Sequence, residues 1–288
     1  MRENITEAYL NWFTSDIDFP FFIQYGGHDS DLYVHSHNDF NELVVVMEGS
    51  AVHIVNSEEY AIKIGDVFVV GNDTVHGYKD TENFRICNIM YRHGEMFSNL
   101  PDIASGAGFH ALFVLEPRIS AEHGFRNRLS LDRKSYMAVK SIIDEMMKEY
   151  ESCSEYRKTV LTSLFLRLAA TLSRLYRFDE RENEQDILNI AKAASYIENH
   201  FSENISVAEL ARISHYSERH FLRVFGKAYG STPHGYIINL RINCACGLLK
   251  SGADIAKTAE KCGFEDVNYF SRIFKKRVGI PPSAYRKK

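Results

Sequence analysis

The chain has 288 residues, 45% of them hydrophobic and 25% charged, and a formal net charge of −4. That balance is globular. It excludes a wholly disordered chain, a collagen-like repeat and a disulfide-stapled miniprotein, and the length suggests about two domains. No apolar run reaches the roughly 18 residues of a membrane-spanning helix, and MRENITEAYLNWF has neither the basic start nor the apolar core of a signal peptide. The five cysteines (Cys87, Cys153, Cys244, Cys246 and Cys262) are scattered and odd in number, as expected of reduced thiols in a cytoplasmic protein with no membrane contact.

The charge is unevenly placed. Residues 1–183 carry 18 Lys+Arg against 28 Asp+Glu, a net −10, whereas residues 184–288 carry 16 against 10, a net +6. The seam falls in FDERENEQ (178–185), a polar run without apolar periodicity that reads as a linker.

Residues 1–19 form an N-terminal arm containing Trp12 and Phe13. Over 20–115 the signals are strand-like. LVVVME, SAVHIV, YAIKI, DVFVV and FRICNIMY are short runs rich in Val, Ile, Phe and Tyr, with EGS, NSEE, IGD and GND between them as turns. Many short strands at regular spacing indicate a β-sandwich or barrel. Residues 92–130 show no clear period, with one strand expected at ALFVL (111–115). Over 130–177 two helices are expected: one carries Met137, Ile142, Ile143, Met146 and Met147, the other Val160, Leu161, Leu164, Phe165, Leu168, Leu172 and Leu175. The second stripe either packs on the barrel or forms a helical dimer interface, and the pattern allows both.

Residues 186–288 read as helical throughout. Ile187, Ile190, Ala191, Ala194, Ile197 and Phe201 line one face of a first helix. Ser206-Val-Ala-Glu209 is a capping box. Ser217, Asp254 and Asp266 are N-cap candidates, Thr232-Pro233 opens a long helix, and Gly263 marks a helix end. Cys244 and Cys246 form a CxC, but residues two apart on a helix do not share a face, which argues against a metal pair.

Two segments of this half repeat. FLRVFGKAYGSTPHGY (221–236) aligns with FSRIFKKRVGIPPSAY (270–285) at an offset of 49, pairing Phe221/Phe270, Arg223/Arg272, Phe225/Phe274, Lys227/Lys276, Gly230/Gly279, Pro233/Pro282 and Tyr236/Tyr285. Each copy is a short helix, a tight turn and a second helix free to enter a major groove. In the first copy Phe221 and Phe225 face the core, while Arg219 and Arg223 project elsewhere with Lys227 one turn on. In the second, Phe270 and Phe274 face in, and Asn268, Arg272 and Lys275 or Lys276 face out. Arg suits guanine edges and Asn adenine, and Lys at the far end of a helix suits phosphate.

Residues 187–286 resemble the DNA-binding domain of the AraC/XylS family of bacterial transcription regulators, most closely over CGFEDVNYFSRIFKKRVGIPPSAYR (262–286). The resemblance implies two recognition helices in successive major grooves, with Arg219 and Arg223 reading bases in the first copy and Val267, Asn268 and Arg272 in the second. Thr258 stands where the family has an aliphatic core residue. Gly226 lies inside the first recognition helix, where an exposed Gly costs about 0.8–1 kcal/mol relative to Ala.

The strand-rich part contains HSHNDFNELVVVMEG (35–49), in which His35, His37, Glu42 and Gly49 are spaced as in the first cupin motif, and GDVFVVGNDTVH (65–76), which resembles the second and ends at His76. Gly71 stands where that motif has Pro. Alternate strand residues share a side, so a barrel could bring His35, His37, Glu42 and His76 to one interior. Four readings remain open: a metal-free pocket that hydrogen-bonds a small effector, a structural or sensory divalent metal on those four residues, packed residues with no ligand, and a catalytic metal. Tyr33, Phe40 and Tyr78 are candidate aromatic walls, and Trp12 and Phe13 could close over the pocket.

A cupin-like barrel, a helical pair and a double helix-turn-helix together resemble the rhamnose-type, sugar-responsive members of the family. The resemblance implies a homodimeric regulator, in activating form a partner of RNA polymerase, that binds promoter DNA under control of a sugar-like effector held by His35, His37, Glu42, His76, Tyr33 and Tyr78. Its rivals are a metal-dependent cupin enzyme with an accessory DNA-binding domain and an effector-independent DNA-binding dimer.

Overall fold

The computed structural model describes residues 6–16, 18–28, 31–56, 58–72, 74–97, 103, 105–117, 128–152, 154–176 and 184–286; the side chains of His28, Leu32, Tyr33 and residues 184–188 fall outside the description. The chain divides into two units, Met1–Leu188 and Asn189–Lys288.

The first unit holds an eight-stranded sheet: β1 (Thr6–Ala8), β2 (Phe21–His28), β3 (Leu32–His37), β4 (Asn41–Val55), β5 (Glu58–Lys63), β6 (Asp66–Val70), β7 (His76–Tyr91) and β8 (Leu129–Ser130). It therefore extends on both sides of the 20–115 range read from sequence: β1 of the arm pairs in parallel with β3, and β8 pairs with β6. The long strands β4 and β7 are its spine, paired antiparallel from Asn41↔Tyr91 to Val55↔His76. Glu42 lies opposite Met90, fourteen positions along β7 from His76. In a flat sheet that is roughly 46 Å, yet the Glu42 carboxylate is 3.7 Å from His76. The sheet must fold back on itself.

The bend is built where the sequence permits it. The β4/β7 register shifts between Val46 and Val52, and such bulges bend strands. Gly49 has φ +70, and a Cβ there would sit 2.1 Å from the carbonyl oxygen of Glu82. Asp80 and Asn83 across the bend also take positive φ. One half-sheet then comprises β2, β6, β8 and the near halves of β4 and β7; the other comprises β1, β3, β5 and the far halves. Between them lie Val44, Val46, Ala51, Val55, Ile62, Phe68, Val70, Tyr78, Phe84 and Ile86, all buried.

Helices cover the outer face of the first half-sheet: α1 (His93–Met96), α2 (Ala107–Phe109, continuing as π-helix through His110–Leu115), α3 (Arg133–Glu151) and α4 (Arg157–Leu175). Phe165 of α4 packs on Phe21 and Tyr91 at 5.6 and 5.0 Å between ring centroids. The Tyr136 hydroxyl of α3 donates to the Met47 carbonyl at 2.7 Å. Buried on both faces, β4 and β6 need no alternation, which is why LVVVM and DVFVV read as continuous apolar runs.

ALFVL is helical, a correction to the strand expected there. Five apolar residues without a period suit a buried helix as well as a strand. Gly108 lets the helix pack closely: a Cβ there would lie 2.0 Å from the Ser173 carbonyl oxygen, so α2 lies directly against α4. On α4 itself, Leu161, Phe165, Leu168 and Leu172 are buried inside the subunit, and Val160 is exposed. Packing thus accounts for most of that stripe.

The second unit is helical: α5 (Glu184–His200), α6 (Val207–Ile213), α7 (Glu218–Tyr229), α8 (Pro233–Lys250), α9 (Ile255–Lys261), α10 (Val267–Val278) and α11 (Pro282–Tyr285). Of the 178–185 linker, residues 178–183 lie outside the described residues and Glu184 and Gln185 begin α5. Each expected cap forms: Ser206, Ser217, Thr232, Asp254 and Asp266 accept backbone N–H bonds at their helix starts. Of the capping box only the serine half forms, because the Glu209 carboxylate accepts instead from the Tyr196 hydroxyl of α5 at 2.8 Å. Thr258 is fully buried, its methyl-bearing side chain in the core position and its hydroxyl donating to the Asp254 carbonyl at 2.7 Å.

Candidate functional site

The folded-back sheet gathers polar residues from three strands. His37 (β3), Glu42 (β4) and His76 (β7) are buried and meet: His76 Nε2 lies 3.2 Å from His37 Nε2, and Glu42 Oε2 lies 3.7 Å from His76 Nε2 and 3.8 Å from His37 Nε2. His35 is half-buried beside them, its ring 4.5 Å from that of His76. A residue the motif spacing did not single out joins the group. His53 of β4 lies with its Nε2 3.3 Å from His76 Nδ1, stacked on Phe68 and Tyr78 at 4.6 and 5.0 Å. Its signal was strand parity: in AVHIV it shares a side with Ala51 and Val55, both core residues.

Burial sets the charge state. These side chains are buried, so desolvation pushes the Glu42 carboxyl up to about 8 and the His37 and His53 imidazoles down to about 3, with His76 also held well below its ordinary value. At neutral pH these are uncharged hydrogen-bonding groups, and the His–Glu42 contacts are not ion pairs. Capacity is left over. Among the described residues His37 Nδ1 has no hydrogen-bond partner, nor has the Oδ1 of Asn88. Asn88 lies opposite Val44 on the inner face, next to the Glu42–Met90 pair. Buried polar groups left unpaired are costly and rare.

One ring nitrogen from each of His35, His37 and His76 lies within 4.8 Å of the other two. A tetrahedral zinc with arms of about 2.0–2.1 Å has edges near 3.3–3.4 Å. The 3.2–3.8 Å separations among His37, His76 and Glu42 are compatible with such a centre, so this donor set fits a divalent metal.

The walls are only partly those expected. Phe40 stacks on His37 at 4.4 Å, and Phe13 of the arm packs on Phe40 and Phe22 at 5.9 and 5.6 Å, covering that side of the site. Trp12 does not take part; it is 61% exposed. The arm is held by Asp39, which accepts from the Leu10 N–H at 2.9 Å and from Arg92 at 2.6 Å. Tyr78 belongs to the core and meets the site through His53 and His76. Tyr33 lies on β3 with its side chain outside the described residues. Gly71 departs from the Pro of the motif for a visible reason: a Cβ there would lie 2.6 Å from the Pro117 carbonyl oxygen.

In the second unit α7 and α10 each bury one face, Phe221 and Phe225 in one and Phe270 and Phe274 in the other. Their outer faces carry the residues expected to meet DNA. Arg219, Arg223 and Lys227 are exposed on α7, and Val267, Asn268, Arg272, Lys275 and Lys276 on α10. Arg223 lies 3.3 Å from the His220 ring nitrogen, and Arg272 rests on the Tyr269 ring at 5.5 Å. Leu222, 41% exposed between the two arginines, is a further candidate for apolar contact with a base. Asp266 accepts from the Asn268 and Tyr269 N–H groups at 2.6 and 3.0 Å, fixing the helix end that carries Asn268.

A strand-built cluster of buried, neutral polar groups in one unit and paired helix-turn-helix motifs with basic outer faces in the other point to a DNA-binding regulator with a ligand-binding domain. Residues 20–178 match the family model described as an AraC-like ligand binding domain, and residues 210–288 the one described as a helix-turn-helix domain. The chain belongs to the AraC family of DNA-binding transcription regulators. It is 29% identical over 253 residues to the HTH-type transcriptional activator RhaS of Escherichia fergusonii, covering 87% of this chain and 86% of that one. To RhaS of Enterobacter sp. (strain 638) it is 27% identical over 251 residues, with the same coverage. Among solved structures, the C-terminal domain of AraT, a response regulator from Geobacillus stearothermophilus, is 29% identical, covering 34% of this chain and 84% of that one with a TM-score of 0.33. Among the described residues no helix is long and apolar enough to cross a membrane.

Proposed function

We propose that the first unit binds an uncharged, hydroxyl-rich effector, a sugar or related polyol, and that binding there controls transcription activation by the second. The observation that supports this reading is the convergence of His37, Glu42, His76 and Asn88, buried and neutral, with hydrogen-bonding capacity unused. Neutral donors and acceptors beside an aromatic surface such as Phe40 suit hydroxyl groups. Among the described residues no Lys or Arg pairs with His37, Glu42 or His76, so a phosphate or carboxylate would be buried without a counter-ion. Both named relatives are transcriptional activators, which supports activation and hence RNA polymerase as partner. The protein acts as a homodimer through α3 and α4, on which Val160 and Met137 remain exposed. On DNA, Arg219, Arg223, Val267, Asn268 and Arg272 read bases while Lys227, Lys275 and Lys276 meet phosphate. For the effector to act as a switch it must bind the DNA-competent arrangement more tightly than the other.

The test is thermal unfolding against a panel of neutral sugars and their phosphates, because a ligand that binds only the folded chain raises its apparent stability. A neutral sugar is expected to stabilise the wild type and its phosphate is not. Stabilisation by the phosphates alone contradicts the reading.

The donor geometry favours a second reading, in which His35, His37, His76 and Glu42 hold a divalent metal. Glu42→Gln separates the two. A neutral amide replaces a neutral carboxyl, so sugar binding is expected to persist within about threefold. A metal centre would instead lose its anionic ligand, read as loss of bound metal by elemental analysis.

A further inference from the structure

The two helix-turn-helix copies share α8. Its first half packs on the first copy, where Tyr236 meets the Phe225 and Tyr229 rings and donates to Glu198 at 2.6 Å. Its second half, through Ile242, Ala245 and Leu249, belongs to the core of the second copy with Phe264, Phe270 and Phe274. A single helix joining two cores leaves the copies free to bend or twist about it unless something else ties them.

Arg241, midway along α8, supplies that tie. Its Nε donates to the Phe201 carbonyl at 2.7 Å and one terminal nitrogen to the Glu203 carbonyl at 2.8 Å, both in the turn that follows α5. The other terminal nitrogen donates to the Gly263 carbonyl, just past the end of α9 in the second copy, and the guanidinium lies 5.6 Å from the Phe264 ring. One guanidinium thus serves the turns that follow two helices, one on each side of the seam. Only a planar fork with several fixed donors can do this; an ammonium is a point charge on a flexible stem. The backbones meet at the same place: Gly263 has φ +80, and a Cβ there would lie 2.3 Å from the Ser202 carbonyl oxygen.

We infer that Arg241 is a positioning residue for DNA recognition: it fixes the separation and twist of the two recognition helices, so that one protomer reads two groove segments at one spacing. The inference rests on the reading that both helices engage one duplex. Arg241 itself, half-buried with its donors turned inward, touches no base.

The test uses the full-length protein and a duplex it selects from a random-sequence pool, with the two groove segments under one protomer mapped by footprinting. One base pair is inserted between the segments, turning one against the other by about 34°. The wild type is expected to lose about tenfold or more in affinity. Arg241→Met is expected to bind the original duplex about fivefold more weakly yet to lose less than about threefold on insertion, because a loosened seam accepts either spacing. Arg241→Lys, which keeps the charge without the fork, should show the same relaxed spacing and provides the measurement if the Met variant is not folded by circular dichroism. A folded variant that keeps the full wild-type penalty overturns the proposal whatever its absolute affinity, since a merely structural role moves affinity for both duplexes together. A wild type indifferent to the insertion overturns the two-groove reading as well, and is seen without any variant.

Discussion

The two functional regions are built on opposite principles. The polar cluster in the first unit is buried and neutral, and it is assembled from residues of β3, β4 and β7 that meet only because the sheet folds back. The basic surface of the second unit is exposed and cationic, and each half of it comes from one twelve-residue helix. A small neutral ligand gains from groups that burial has stripped of water and charge. A phosphate polymer gains from exposed cations that displace its counterions. The net charge of −4 averages these two designs and describes neither.

This contrast can be broken by mutation. The largest effect is expected where the pocket depends on long-range convergence. Gly49→Ala places a side chain against the Glu82 carbonyl at positive φ, and strain of that kind with the added clash should destabilise the first unit by about 3 kcal/mol or more. Thermal unfolding should show its transition lowered or lost while that of the second unit stays; equal loss of both would mean that the units do not fold independently.

Next come the exposed arginines. Arg223→Ala and Arg272→Ala should each relax preference at particular base positions by about 1–3 kcal/mol without changing stability. Binding measured against single-base variants of the selected site checks this, and unchanged specificity in both removes these helices from the groove.

A smaller gain is expected from Gly226→Ala. Nothing lies within 4 Å of the position a Cβ would take, so the second unit should become more stable by about 0.8–1 kcal/mol, read as a raised melting temperature. A loss would mean that this face of α7 is in contact with something. The smallest effect belongs to Lys227→Ala. It should weaken binding to all sequences and reduce the salt slope by about 1, and an unaltered slope takes Lys227 off the phosphates.

The contrast also decides what the sequence revealed. The helix-turn-helix unit was legible almost residue by residue, because caps such as Ser217 and Asp266 and the Phe221/Phe225 and Phe270/Phe274 pairs act within a few residues of one another. The Arg241 tie was not, since it joins turns that are distant in the chain. In the first unit the motif spacing pointed to His35, His37, Glu42 and His76. It missed His53, whose place depends on the bend at Gly49, and Asn88, whose role appears only once β7 lies across β4. The helical state of ALFVL was equally invisible, because an apolar run buried on all sides has no period. Phe13 and Trp12 are neighbours with opposite fates, and only the seating of the arm on Asp39 separates them.

Under the proposed function, a neutral ligand at the His37–Glu42–His76 cluster governs DNA binding by the basic unit. This is tested most directly by footprinting the DNA beside the protein's own gene with the wild-type and His37→Ala proteins, with and without the sugar panel. One neutral sugar should strengthen or extend the wild-type footprint and leave that of His37→Ala unchanged, while both proteins still protect the same bases. A footprint that no sugar alters, or one that responds equally in both proteins, would contradict the account.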